Sequence, residues 1–351
     1  MAEVRQRLKN TQTSLDTTES EIKENSKSSN KDWANYALMI ALAIGIKSWQ
    51  PLAIAASKQP DGSYTYNKTF MVLLVEIVKL VFSAVMLFLH YKNTEPPKRS
   101  ALVNLPFKQS LHFLVPSILY GASNTLLYYG MSYINPALFH VFGNIRILTA
   151  GLLYRFIMQR KQTELQWLSL ILLTIGATLA SPEVNSSETV PSDMLGLVLI
   201  VMMCICSTSS SIYIELNYKK TQELSIFYQN LVLYTYGVLV NGIYLVLTYD
   251  KADYEYGFFA GFDIYVVQVL VSQSAMGVSL SFIFKFLDNI VYVISLTVAM
   301  LATTIISVLY FDFNCTFEFI CALVLVMISI YLYYRNRIFE RFQIQEKNLI
   351  F

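Results

Sequence analysis

Two ionisable residues three positions apart stand inside an apolar run, Val75-Glu76-Ile77-Val78-Lys79-Leu80, and a third, Arg146, stands in another. At i, i+3 a carboxylate and an ammonium share one helix face. Glu76 can therefore simply neutralise Lys79, or it can orient Lys79 toward a bound anion; both readings stay open. Arg146 has no carboxylate at i±3 or i±4, so its partner must come from another helix or from a ligand. A guanidinium is suited to bidentate phosphate binding. Around it, Phe139, Phe142 and Gly143 share one side of the run, while His140 and Asn144 pair at i, i+4 on an adjacent stripe. His140 can equally be a hydrogen-bonded packing residue. Tyr120 and Asn124 make a second i, i+4 pair, and Ser207, Glu215, Asn230 and Tyr234 add polar positions further along. Such groups are costly at membrane depth, where they line a cavity or pair with one another. As a set they offer cations for charge, Asn for the edge of a flat base and aromatics for stacking, the needs of a phosphate-bearing solute with a base. Most of the 24 Tyr must nevertheless be interface or packing residues.

These residues need helices to hold them. The chain has 351 residues, 55% hydrophobic and only 14% charged, with a mean hydropathy of +0.46. An ordinary soluble domain carries roughly 25% charged residues. That composition excludes a disordered chain, and a net charge of +2 gives no nucleic-acid footprint. About 20 apolar residues cross a bilayer as a helix. Ten such runs are expected: Ala34–Ala56, Phe70–His90, Leu111–Tyr133, Pro136–Met158, Leu165–Ser181, Met194–Leu216, Ser225–Thr248, Ile264–Phe286, Ile290–Phe311 and Phe317–Tyr334. The fold class is thus an all-α polytopic membrane protein.

With both termini in the cytosol, 20 Lys and Arg fall on the cytosolic face and three (Lys58, Lys68, Lys251) on the other. That is the asymmetry of the positive-inside rule. The Asn67, Asn185 and Asn314 sequons all fall on the non-cytosolic face, the side on which glycosylation occurs. Division at the polar segment 182–193 gives five spans to each half, so the halves enter the membrane in opposite senses. This is the geometry of inverted repeats, with a midplane site between them. Leu153-Tyr154 before Glu164, and Leu309-Tyr310 before Glu318, are a faint trace of that repeat. The expected organisation is a disordered cytosolic tail (1–32), a first half (33–181), a lumenal linker (182–193), a second half (194–335) and a cytosolic C-tail (336–351).

No signal peptide, HExxH, P-loop or GxSxG stands in the sequence, and Cys204, Cys206, Cys315 and Cys321 lack zinc or disulfide-framework spacing. Neither an enzyme nor a metal or other cofactor is expected.

The run Val75–Leu80, the stretch Pro116-Ser117-Ile118-Leu119-Tyr120 with Asn124, and Leu165-Gln166-Trp167-Leu168-Ser169 together resemble the nucleotide-sugar transporters. Tyr213-Ile214-Glu215, Gln229-Asn230-Leu231-Val232-Leu233-Tyr234 and Asp288-Asn289-Ile290 extend the resemblance, which is nearest the CMP-sialic acid and UDP-galactose branch of the drug/metabolite transporter superfamily. It implies exchange of a cytosolic nucleotide sugar for a lumenal nucleoside monophosphate in Golgi or endoplasmic reticulum membranes. Lys79 and Arg146 would face phosphate or sugar, and Tyr120, Asn124, Ser207, Asn230 and Tyr234 would line the cavity. Phe139, His140, Asn144 and Tyr292 join them as candidate contacts, with Glu76 and Glu215 orienting. Partners would be the two nucleotides and membrane lipids, with no nucleic acid and with a homodimer admitted. The chain departs from the branch where Asn144-Ile145-Arg146 replaces Gln-x-Lys, where Tyr292 replaces Lys and where Phe139 replaces Tyr, which resembles a divergent sub-branch. The alternatives are a carrier of another solute and a non-transporting scaffold of the same fold.

Overall fold

The computed structural model describes residues 35–49, 53, 57, 66–133, 142–159, 161–179, 194–248, 257–310 and 317–350. The expected tail 1–32, the linker 182–193, Phe139, His140, Asn185 and Asn314 lie outside the described residues. Contacts divide the chain into two units, 1–42 and 43–351. The described part of the first is helical, and helix α1 (35–49) runs across the division.

The second unit is helical throughout its regular elements, with no strand among the described residues. Its helices are α2 (Lys68–Asn93), α3 (Pro96–Val103), α4 (Phe107–Ser110) with a 3₁₀ turn (Leu111–Phe113), α5 (Leu114–Tyr133), α6 (Ile145–Ile157) and α7 (Glu164–Leu179). After these come α8 (Met194–Lys220), α9 (Ile226–Leu247), α10 (Ile264–Phe286), α11 (Asn289–Tyr310) and α12 (Phe317–Ile350). Counted over the described residues alone, four of them, α2, α8, α9 and α10, are long and apolar enough to cross a membrane. Side chains such as Phe82, Val85 and Phe88 on α2 and Ile243, Val246 and Leu247 on α9 stay exposed, as a lipid-facing surface requires.

Polar residues at the ends of the apolar runs set the helix starts. Asn67 Oδ1 accepts from the Phe70 N–H at 3.0 Å, Asp263 Oδ1 from Val266 at 2.8 Å, and Asp288 Oδ1 from Val291 at 2.9 Å. Thr163 and Gln166 form a reciprocal capping box at the start of α7. Each cap satisfies an N–H that has no intrahelical partner.

The most extensive helix pairs are α5 with α8, α7 with α12 and α2 with α9. One apolar core gathers Ile147, Ala150 and Tyr154 of α6 with Leu170 and Leu173 of α7, Ile290, Val293 and Ile294 of α11, and Ala322 and Val326 of α12. A second joins Phe113, Tyr218, Leu233, Tyr234, Ile283 and Phe284. The second core borders the polar residues described next.

Candidate functional site

Glu76 and Lys79 lie one turn apart on α2, both almost fully buried, with Nζ 2.6 Å from Oε1. Two glycines on neighbouring helices make room for them. A Cβ at Gly237 of α9 would stand 2.6 Å from Glu76 Oε2, and one at Gly277 of α10 would stand 2.7 Å from Lys79 Cδ. The pair thus sits against bare backbone on two sides. Lys79 Nζ also lies 4.5 Å above the centre of the Tyr234 ring, a cation–π contact that gains strength away from water. The Tyr234 hydroxyl lies 2.9 Å from Ser281 Oγ and 3.2 Å from the Gly277 carbonyl, which fixes the ring. Behind it the Tyr218 hydroxyl donates to Asn230 Oδ1 at 2.6 Å.

Glu76, Lys79, Tyr234 and Ser281 wall a cleft of about 580 Å³, its open mouth included, completed by Ser117, Tyr120, Asn241 and Phe284. A second space of about 470 Å³ contains Arg146, Ser207, Thr208, Ser211, Asn289 and Tyr292. Tyr120, Ile214, Leu280 and Phe284 line both. These two lobes therefore adjoin across a shared partition. Their electrostatics differ. The first holds a self-neutralising pair, whereas the second has a guanidinium in its wall and no carboxylate. An anion is accordingly favoured beside Arg146 and meets Glu76 in the other lobe.

Glu215 anchors the second lobe from behind. It is fully buried on α8, and its Oε1 accepts from the Tyr154 hydroxyl at 3.1 Å and from Lys219 Nζ at 2.5 Å. Its Oε2 accepts from the Asn289 backbone N–H at 2.8 Å. One carboxylate thereby ties together α6, α8 and the start of α11. Among the described residues no group of His, Cys, Asp and Glu is placed to hold a metal.

The model of the nucleotide-sugar transporter family matches residues 34–334. The chain belongs to that family. Among the relatives of this chain is CMP-sialic acid transporter 1 of Oryza sativa subsp. japonica, 30% identical over 308 residues, covering 85% of this chain and 93% of the relative. CMP-sialic acid transporter 4 of Arabidopsis thaliana is 30% identical over 302 residues, 86% and 85% of the two chains. A probable UDP-sugar transporter protein of Xenopus tropicalis is 28% identical over 306 residues, 85% and 92%. A solved crystal structure superposes with a TM-score of 0.63 at 11% identity, covering 85% of this chain and 96% of its own, which shows a shared fold.

The fold brings Glu76, Lys79, Tyr120 and Tyr234 into one lobe, and Tyr120, Arg146, Ser207 and Tyr292 into the other. Asn124 and Asn144 are partly buried beyond both walls, and Asn230 is fully buried on Tyr218 rather than in the cleft. Ser117, Asn241, Gly277 and Ser281, with Thr208, Ser211 and Asn289, line the lobes without having been singled out from the sequence. The hydroxyl run Ser207-Thr208-Ser209-Ser210-Ser211 was a visible signal for two of them. Gly237 and Asn241, at three and seven positions after Tyr234, share its helix face, which was a signal for Asn241.

Proposed function

We propose that this transporter exchanges a cytosolic nucleotide sugar for a lumenal nucleoside monophosphate by alternating access, in a Golgi or endoplasmic reticulum membrane, with both termini cytosolic. The observation that carries the proposal is the two-lobed cleft. The phosphate binds at Arg146, in the lobe without a carboxylate. The sugar lies in the Glu76–Lys79 lobe, where a carboxylate and the hydroxyls of Tyr234 and Ser281 suit its hydroxyls and the Tyr234 and Phe284 rings suit its apolar face. The relatives named for CMP-sialic acid and for a UDP-sugar share with each other a pyrimidine nucleotide joined to a sugar, the class assigned here.

Ten spans arranged as two inverted five-helix halves complete the proposal. The helix pairing supports it, because a two-fold exchange of halves matches the second span with the seventh and the fifth with the tenth. These are α2 with α9 and α7 with α12, two of the three most extensive pairs. The contacts of α2 with α10 and of α9 with α5 are likewise exchanged by that operation. Such repeats rock about a fixed midplane site.

The test is exchange in liposomes preloaded with CMP, UMP or GMP and offered labelled nucleotide sugars. Uptake that depends on the internal nucleotide is expected. No uptake with any pairing overturns the proposal. Stabilisation of the purified protein by amines or amino acids and not by nucleotides would then favour another solute, and stabilisation by none of these a scaffold.

A further inference from the structure

Three polar atoms in the Arg146 lobe stand without partners. Asn289 is 1% exposed, and neither its Oδ1 nor its Nδ2 makes a hydrogen bond. Thr208, 2% exposed and in the same wall, has an unpartnered Oγ1. A buried polar group left unsatisfied is costly, and each one in a folded protein calls for an explanation. Nothing about the Asn289 backbone is loose. Its N–H is held by Glu215, which is itself fixed by Tyr154 and Lys219. The residue is therefore placed firmly while its side chain stays unsatisfied.

The chemistry of a carboxamide narrows the ligand group that would satisfy it. It presents a donor and an acceptor side by side in one plane. A phosphate offers acceptors alone and would leave Oδ1 unmet. The edge of a nucleobase offers an adjacent donor and acceptor in a plane, N4–H with N3 in cytosine or N3–H with O4 in uracil. A flat partner is also suited to the neighbouring wall, where Phe284 and Tyr292 meet edge to face at 5.4 Å and both line the lobe.

We propose that Asn289 is the residue that reads the edge of the base, with its carboxamide turning about its own side-chain bonds to meet a nucleotide whose phosphate lies on Arg146. Thr208 supplies the adjoining hydroxyl. This assignment rests on the nucleotide reading of the site and adds to it a specificity-determining residue.

The test measures thermal stabilisation of the purified full-length transporter by CMP, UMP, AMP and GMP, with ribose 5-phosphate as the base-free probe. The wild type is expected to rank the four nucleotides. Asn289→Ala is expected to lose about tenfold in affinity for the preferred nucleotide and to flatten the ranking, with the response to ribose 5-phosphate unchanged. Asn289→Asp, which keeps the size and removes the donor, is expected to flatten the ranking too, and it gives the answer if the alanine variant does not fold. A folded variant with the wild-type ranking and affinity overturns the assignment, as does an equal loss for nucleotide and ribose 5-phosphate. A wild type that responds to no nucleotide overturns the substrate class itself, a result distinct from an unchanged variant of a responsive wild type.

Discussion

Replacing Gly237 by Ala adds one methyl group where the Glu76 carboxylate has least room. The new Cβ would stand 2.6 Å from Oε2, 3.1 Å from Cδ and 3.5 Å from Cγ. Reaching even the closest separation found for real Cβ atoms, 3.0 Å, requires the carboxylate to withdraw by about 0.4 Å, and an ordinary contact at 3.4 Å requires about 0.8 Å. That motion pulls on an ion pair held at 2.6 Å and on an ammonium seated over Tyr234. Overpacking of this kind costs about 1–3 kcal/mol, while Gly→Ala within a helix returns roughly 0.5–1 kcal/mol. The net loss of stability should be about 0–2.5 kcal/mol, small enough for the protein to fold. Exchange is expected to suffer more, because the pair is displaced from the geometry the cleft is built around. A loss of about 1.4 kcal/mol in ligand binding corresponds to tenfold in affinity. The control lies on the same helix. A Cβ at Gly242 meets nothing within 4 Å, so Gly242→Ala should transport normally and melt at the wild-type temperature or slightly above. Liposome exchange and thermal unfolding in detergent would measure both variants. Wild-type exchange in Gly237→Ala would refute the idea that the position of Glu76 matters to transport.

Arg146→Ala should abolish exchange while the purified protein keeps its melting temperature within a few degrees. Normal uptake would show that Arg146 serves the fold alone. Lys79→Ala leaves Glu76 buried without its cation, a change worth about 3–5 kcal/mol, so its melting temperature should fall sharply. Lys79→Ala combined with Glu76→Gln should recover most of that stability and none of the transport, and a double variant as unstable as the single one would contradict the pairing. Glu215→Gln keeps the shape but weakens three hydrogen bonds that bind α6, α8 and α11. It should destabilise by about 1–3 kcal/mol, seen as a lower unfolding temperature in detergent.

The parts of the structure that depend on neighbours in sequence were the most legible. The run Ile264–Phe286 predicts α10 with the same bounds, because Asp263 caps it and the apolar pattern ends at Leu287. Glu76 and Lys79 could be paired from the sequence because their i, i+3 spacing alone brings them together. The helix α12 runs on to Ile350, beyond the apolar run ending at Tyr334, since an apolar window ends where charges begin and the hydrogen-bonded helix need not. Across helices the sequence said less. Asn230 looks like a cavity residue, yet its Oδ1 is taken by Tyr218 from the preceding helix. Gly237 and Gly277 carry no side chain to draw notice, and their importance comes from a charged pair on a third helix. Asn289 stands in a motif quoted for its family resemblance, but only the folded chain shows that its carboxamide is left unpaired.

The partition between the two lobes has a consequence for what can be carried. Its four side chains, Tyr120, Ile214, Leu280 and Phe284, carry no formal charge. On the proposed reading they act as a spacer that sets the distance from the anion grip to the polyol compartment. Under that proposal, cargo length and cargo charge are governed by separate residues. A larger or smaller side chain at Phe284 would retune the first without touching Arg146, Glu76 or Lys79, which gives such a protein a route to new cargoes that leaves its costly buried charges in place.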